Sequence, residues 1–343
     1  MVMRVGVIGA GSIGAWHARI LSEGGDTLAA VCDTDRARAT AAAANGAAVF
    51  DDPAAFFASG LDAVVIATPE ALHEDHAIAA AQAGCSMLIE KPVAPDMAAM
   101  RRIQAAVEAA GVTAMAAHVE RFEAGSAGLQ AAVAQGICGR VSALFARRQF
   151  GPAELARFAG QSSTLRVLGI HDFDLIRWVH PGAITSVHAT AAKGALFAAH
   201  AMHDHVVTSI AFEDGALASV ESGWTLPLSY QSYTAPDGWG AAGNNRLEVF
   251  GDAGFVSNDM SLRSQPLVAF DTTEGFRASN LRHQPVIHGR VGGALRAQME
   301  HFLDCLRTGA APLVGLDDAL RAVALLEAAE TSLVNGAPAT PLL

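Results

Sequence analysis

The sequence predicts an α/β chain in two parts: a parallel sheet wound with helices over residues 1–120, and an α+β part built on antiparallel strands over residues 121–343. Three observations carry this reading. The chain has 343 residues, more than one hydrophobic core usually organises. Up to residue 117, short apolar runs alternate with alanine-rich helical stretches, the rhythm of strands joined by crossover helices. Past His118 the strand-like runs follow one another without helices between them, as in an antiparallel sheet.

Strands of the first part are read at 3–9, 27–33, 47–50, 62–68, 86–90 and 113–118, near-continuous apolar runs of the kind covered on both faces. Helices fall near 12–24, 35–45, 71–84 and 95–110, the last opening after Pro95-Asp96 and closing at Gly111. In the second part strands are expected at 139–149, 184–192, 205–213, 216–224, 246–250 and 267–270. Helices are expected near 126–135, 170–179, 290–308 and 316–334; the last two carry apolar residues at helical spacing, a core or interface pattern.

Composition removes several function classes. With 51% hydrophobic and 17% charged residues the chain is globular rather than disordered. Its 23 basic residues are scattered among 34 acidic ones, for a net charge of -11, so no nucleic-acid surface is expected. The apolar stretch from Val5 to Trp16 is cut by glycines and reads as neither signal peptide nor membrane span, so a cytoplasmic protein is expected. Cys32, Cys85, Cys138 and Cys305 show no C-x-x-C spacing, which suits reduced, buried thiols.

Gly9-Ala10-Gly11-Ser12-Ile13-Gly14 follows a buried strand and opens a helix, the context in which G-x-G-x-x-G binds a dinucleotide on a Rossmann fold. Gly9 permits the turn, Gly11 lets the backbone approach a pyrophosphate, and Gly14 lets helix and strand pack closely. The helix N-terminus at Ser12 and Ile13 offers N–H groups and partial positive charge. Asp33 ends the second strand, 19 residues after Gly14, where a carboxylate accepts from ribose hydroxyls and repels a 2′-phosphate. NAD is therefore expected over NADP. Arg36 and Arg38 stand near enough to pair with a phosphate, and the plainer role for Asp33 is a helix cap.

Strand five runs into Glu90-Lys91-Pro92, which sets a lysine at the carboxyl edge of a parallel sheet, where open α/β folds bind ligands. Beside a nicotinamide such a lysine can donate to a substrate oxygen and steady the charge developing there. The order GAGSIG, Asp33, Thr68-Pro69 with His73 four residues later, AAAQAG, and Glu90-Lys91-Pro92 resembles the Gfo/Idh/MocA oxidoreductases over nearly the whole chain. His118-Val119-Glu120-Arg121-Phe122, Arg147-Arg148 and Ile170-His171-Asp172-Phe173-Asp174 resemble its branch of UDP-N-acetylglucosamine 3-dehydrogenases and other sugar dehydrogenases.

The resemblance implies an N-terminal Rossmann domain and a second domain on an open, mostly antiparallel sheet that holds substrate and forms a homodimer or homotetramer. It implies an NAD-dependent interconversion of a secondary alcohol and a ketone on a sugar, sugar nucleotide or cyclic polyol. Lys91 and His171 would handle the substrate's proton. Thr68, Pro69, His73, Glu90 and Pro92 would border the cofactor, and His118, Arg148, Arg166, Asp172 and Trp239 the substrate. The family commonly carries an aspartate four residues before the histidine, where this chain has Val167. The relay is then shortened to Lys91 and His171, or the substrate differs, or catalysis is weak. Asp172 and Asp174 match family positions of their own, with helix-capping or cofactor-facing roles. An NADPH-dependent reductase of a keto-sugar or imine and a non-catalytic dinucleotide-binding sensor are the rival readings.

Trp224, Tyr230, Tyr233 and Trp239 crowd into 16 residues with Pro227, Pro236, Gly238 and Gly240, the composition of a binding loop or a packed contact. His200, His203, Asp204 and His205 show no metal-ligand spacing with a matching set elsewhere, so no metal is expected.

Overall fold

The computed structural model describes residues 2–24, 28–152, 155, 158, 162–226, 243–260, 268–271, 275–278 and 283–342. The chain divides into two compact units, Met1–Val119 with Val286–Val323, and Glu120–Pro285 with Ala324–Leu343.

The first unit runs β1 (Val5–Ile8), α1 (Ser12–Glu23), β2 (Leu28–Cys32), α2 (Arg36–Ala42), β3 (Ala48–Phe50), α3 (Pro53–Phe57), β4 (Ala63–Ile66), α4 (His73–Gln82), β5 (Ser86–Ile89), α5 (Met97–Ala110) and β6 (Ala114–Ala116). The strands form one parallel sheet in the order β3-β2-β1-β4-β5-β6, so the winding reverses between β1 and β4. Every residue of β1 and β4 is buried, which explains why these runs are apolar throughout rather than alternating. Helix ends follow local chemistry. The Asp96 carboxylate accepts from Ala99 N–H at 2.7 Å to open α5, and Gly111, at φ 65°, closes it in the left-handed region. The short α3, absent from the sequence reading, is made by Asp52 as cap and Pro53 in the first turn.

By compactness the chain departs from the single cut expected between residues 120 and 121. The segment that opens with β15 (Val286–Ile287), β16 (Arg290–Val291) and α9 (Gly293–Thr308) belongs with the first unit, where α9 packs on α1. Glu23, the last residue of α1, anchors it: its carboxylate accepts from Val291 N–H at 2.9 Å and pairs with Arg296 and with Arg19. Farther on, Val314 O accepts from Ala116 N–H at 3.0 Å, extending the edge beside β6.

The second unit contains α6 (Ala124–Ala134), β7 (Val141–Gln149), a π-helical turn Leu165–Gly169, α7 (Ile170–Val179), β8 (Ile184–Ala192), α8 (Ala195–His200), β9 (His205–Phe212), β10 (Leu217–Gly223), β11 (Arg246–Gly251), β12 (Phe255–Asp259), a hairpin of β13 (Val268–Asp271) with β14 (Gly275–Ala278), and the later turns of α10 (Leu316–Asn335). Its six-stranded sheet is open, in the order β12-β11-β7-β10-β9-β8, and antiparallel at every pairing except β7 with β10. One face carries Leu144, Ala146, Arg148, Val187, Ile210, Val220 and Val249 and is buried. The opposite face presents Phe145, Leu217 and Phe255 to solvent. The sequence reading missed β12 because its residues alternate between half-buried and exposed, leaving no apolar run to mark it.

All four cysteines are free and buried. Burial and the neighbouring Asp33 carboxylate push the Cys32 thiol up to about 11, where it stays protonated and unreactive. No helix among the described residues is long and apolar enough to cross a membrane.

Glu23→Ala removes charge-assisted bonds to Val291 and Arg296 at once. It should lower the unfolding free energy by about 2–3 kcal/mol in urea titrations, whereas Glu300→Ala, at an exposed carboxylate, should change it by less than about 0.5 kcal/mol.

Candidate functional site

The glycine loop lies at the reversal point of the parallel sheet, between the carboxyl ends of β1 and β4. Gly9 has φ 91°, a backbone open to glycine. A Cβ on Gly14 would stand 1.8 Å from Gly9 O, so helix and loop can approach this closely only without a side chain there. A Cβ on Gly11 would meet nothing within 4 Å: the space beside it is open. No side chain caps α1 and no acidic residue occupies its first turn, so the N–H groups at Ser12 and Ile13 remain available to an anion. An open flank at Gly11 beside an uncapped helix N-terminus fits a pyrophosphate, and the residues present therefore fit NAD.

Asp33 follows β2 and ties the loop together. Its Oδ2 accepts from Ala10 N–H at 2.7 Å and its Oδ1 from Asp35 N–H at 2.8 Å. The cap of α2 is Asp35, which accepts from Ala37 and Arg38 N–H, so Asp33 does not serve as the cap. Arg36 pairs with Asp51 and Arg38 with Asp35, both on the surface.

Thr68 and Pro69 follow β4, and Glu90, Lys91 and Pro92 follow β5. His73 joins these two strand ends: its Nδ1 lies 2.8 Å from Pro92 O and its Nε2 2.9 Å from Thr68 O. Burial, the largest influence, lowers the His73 pKa against the pull of both carbonyls and of the Glu90 carboxylate. The Lys91-Pro92 peptide is cis. Behind Lys91, the Glu90 carboxylate is buried with Oε1 2.8 Å from His17 Nε2 and Oε2 accepting from Lys91 N–H at 3.3 Å. Burial pushes the Glu90 carboxyl up, but His17 and Lys91 outweigh it and hold the group below its ordinary range. His17, fully buried on the inner stripe of α1, escaped the sequence reading; a polar residue at helical spacing among Gly14, Ala18 and Leu21 was its one signal. His118 is buried just past β6.

In the second unit α7 carries His171, Asp172 and Asp174, all buried. Neither aspartate caps a helix or presents a free carboxylate. Asp172 accepts from Arg148 through both oxygens, at 2.9 and 3.0 Å, and Asp174 takes Arg121 the same way. Arg148, on the inner face of β7, also donates to Glu120 at 2.6 Å. Burial disfavours the Arg148 charge, and the carboxylates of Asp172 and Glu120 more than offset it. Arg166, in the π-helical turn, pairs with Glu330. Val167 sits in an apolar cluster with Phe150, Leu155, Leu168, Met202 and Trp224. Asp204 accepts from Gly194, Leu196 and Phe197 N–H at the start of α8, which accounts for the acid of the histidine-rich stretch. Trp239, Tyr230 and Tyr233 lie outside the described residues. Among the described residues no group of three His, Cys, Asp or Glu is disposed to hold a metal ion.

A model of the Gfo/Idh/MocA oxidoreductases, described as an NAD-binding Rossmann fold, matches residues 3–118, and the Gfo/Idh/MocA C-terminal domain matches residues 127–257. The chain is 31% identical to inositol 2-dehydrogenase 2 of Paenarthrobacter aurescens (strain TC1), over 97% of this chain and 96% of that protein. It is 27% identical to the NAD(+) scyllo-inositol 2-dehydrogenase of Bacillus subtilis (strain 168), over 98% and 95%. In fold it is similar to the crystal structure of myo-inositol 2-dehydrogenase from Lactobacillus plantarum, with a TM-score of 0.83 and 19% identity over the full length of both chains.

Because folding depresses the Glu90 pKa, the unfolded chain binds the proton more readily. The contribution of Glu90 to stability is therefore complete above its ordinary pKa of 4.5 and lost as pH falls through the folded value. Urea titrations should show wild type more stable than Glu90→Gln at pH 7, with the gap closing below about pH 4.5.

Proposed function

The chain belongs to the Gfo/Idh/MocA family and is an NAD-dependent dehydrogenase acting on CH–OH groups; on that premise we propose that its substrate is a cyclic polyol of the inositol class, oxidised at one ring carbon to the ketone. The observation that carries the substrate class is the similarity to two inositol 2-dehydrogenases along practically the whole chain. The first 120 residues are assigned to the cofactor, and residues 121–343 to substrate and self-association.

Gly9, Gly11, Ser12, Ile13 and Gly14 would cradle the pyrophosphate, Asp33 would accept from the ribose hydroxyls, and Thr68, Pro69, His73, Glu90 and Pro92 would shape the nicotinamide edge. Held there, NAD would supply the hydride acceptor for the carbinol carbon. The Lys91 ammonium donates to that carbon's oxygen and steadies its developing negative charge. His171 takes the hydroxyl proton; an imidazole titrates near neutrality and can both accept and return it. His118, Arg148, Arg166, Asp172 and Trp239 are the further substrate-side assignments. Of these, Arg148 and Asp172 would act by holding α7, since their charged groups are spent on each other.

We assign the open face of the second sheet to a homodimer or homotetramer. Phe145 and Leu217 are 49% and 59% exposed there, and Phe145 meets Phe250, which stacks on Phe255. A groove of about 330 Å³ crosses the same strands past His188, Ser209 and Ser219. Apolar rings in water on a face this broad favour a second copy.

Two measurements test these assignments. With myo-inositol and NAD, Lys91→Met should lower kcat by about 100- to 10,000-fold while NADH binding, read by fluorescence titration, changes less than about threefold. In sedimentation velocity, Phe145→Glu with Leu217→Glu should run as a monomer, and an unchanged assembly would remove this face from the interface.

A further inference from the structure

Helix α1 carries more than the glycine loop. Three residues after Gly14, on the same inner stripe, His17 is fully buried, and its Nε2 lies 2.8 Å from Oε1 of Glu90. The other oxygen of that carboxylate, Oε2, accepts from Lys91 N–H at 3.3 Å. Both oxygens of Glu90 are thus engaged, one by α1 and one by the backbone of the residue that bears the ammonium. All three residues belong to the first unit.

The two ring nitrogens of His17 differ. Nε2 faces a carboxylate oxygen and must carry a proton to bond it, because an ionised carboxylate only accepts. Nδ1 is buried with no hydrogen-bond partner, and a proton there would be a buried donor with nothing to receive it. The surroundings therefore select the Nε2–H tautomer. Stability alone does not account for such a pair, since apolar side chains of similar volume commonly serve a core as well as buried polar or charged partners do. Its place next to Lys91 does account for it. A carboxylate without a donor at Oε1 can turn about its own bonds, and Oε2 then leaves the Lys91 amide. We infer that His17 is a positioning residue for Lys91: its Nε2–H fixes the Glu90 carboxylate, and the carboxylate fixes the amide from which the lysine side chain starts. The inference rests on the role proposed above for Lys91. No bond forms or breaks along these contacts, and no proton changes place. The helix whose N-terminus would meet the pyrophosphate thereby also sets the lysine.

The chain has two lysines, Lys91 and Lys193, so isotope-labelled lysine in the NAD-free protein gives two backbone amide signals, which Lys193→Arg assigns. In His17→Leu the Lys91 amide proton should move upfield, as on loss of an acceptor, while Lys193, in the second unit, stays in place. His17→Gln keeps an N–H at about the reach of Nε2 and should restore the wild-type position; His17→Asn, one methylene shorter, should not. Labelled histidine in the wild-type protein adds a measurement that holds even where His17→Leu does not fold: the His17 signal, assigned by its loss in His17→Gln, should show the proton on Nε2. With myo-inositol and NAD, His17→Leu should lower kcat about 10- to 100-fold while NADH binding changes less than about threefold, and His17→Gln should recover most of the loss. A Lys91 amide that is the same in wild type, His17→Leu and His17→Asn overturns the inference, as does a His17 proton on Nδ1. Full turnover in Lys91→Met overturns instead the role of Lys91 on which it rests, so the two failures are distinguishable.

Discussion

A guanidinium taken out of water must be met by carboxylates, and two such meetings fix α7 in its unit. Arg148 reaches Asp172 from β7, and Arg121 reaches Asp174 from the turn after residue 119 while stacking 5.3 Å over the Trp178 ring. Breaking either fork strands a buried charge at a cost of about 3–5 kcal/mol. Because the two aspartates flank Phe173 and follow directly on His171, the helix cannot turn or slide without losing one of them.

The first unit uses a different constraint toward a similar end. Its strand ends are joined by the His73 imidazole, which lies between two backbone carbonyls, and by a carboxylate, Glu90, held between His17 and the amide of Lys91. Both devices reach the backbone of the strand ends, so they place the start of the lysine side chain. The glycines act by absence: at Gly14 a methyl group would fall 1.8 Å from Gly9 O.

Much of the fold was legible. The parallel strands announce themselves because both faces are covered, so β1, β4 and β5 read as unbroken apolar runs, and Asp96 and Gly111 mark the ends of α5 by local chemistry alone. The edge strand β12 and the short helix α8 carry no such signature. At the site, the glycine loop and Glu90-Lys91-Pro92 could be found because backbone geometry demands those residue types at those spacings. The partners could not. Pairing of Glu90 with His17, of Arg148 with Glu120 and of Arg166 with Glu330 depends on contacts between residues 28 to 164 positions apart, which no local pattern encodes. The pairing of Asp172 and Asp174 with arginines escapes the sequence for the same reason, since an aspartate near a helix start looks alike whether it caps, faces a cofactor or reaches sideways to an arginine.

The return of residues 286–323 to the first unit means that this unit is completed only after residues 120–285 have been made. On a ribosome the nucleotide-binding core is then left unfinished, with the α9 side of α1 uncovered, until some two hundred further residues have emerged. At ordinary elongation rates that interval is about 10–40 s. A nascent chain exposing an apolar helix face for so long is a natural client for holdase chaperones, and gene fusions that graft only the first 120 residues elsewhere would carry that uncovered face permanently.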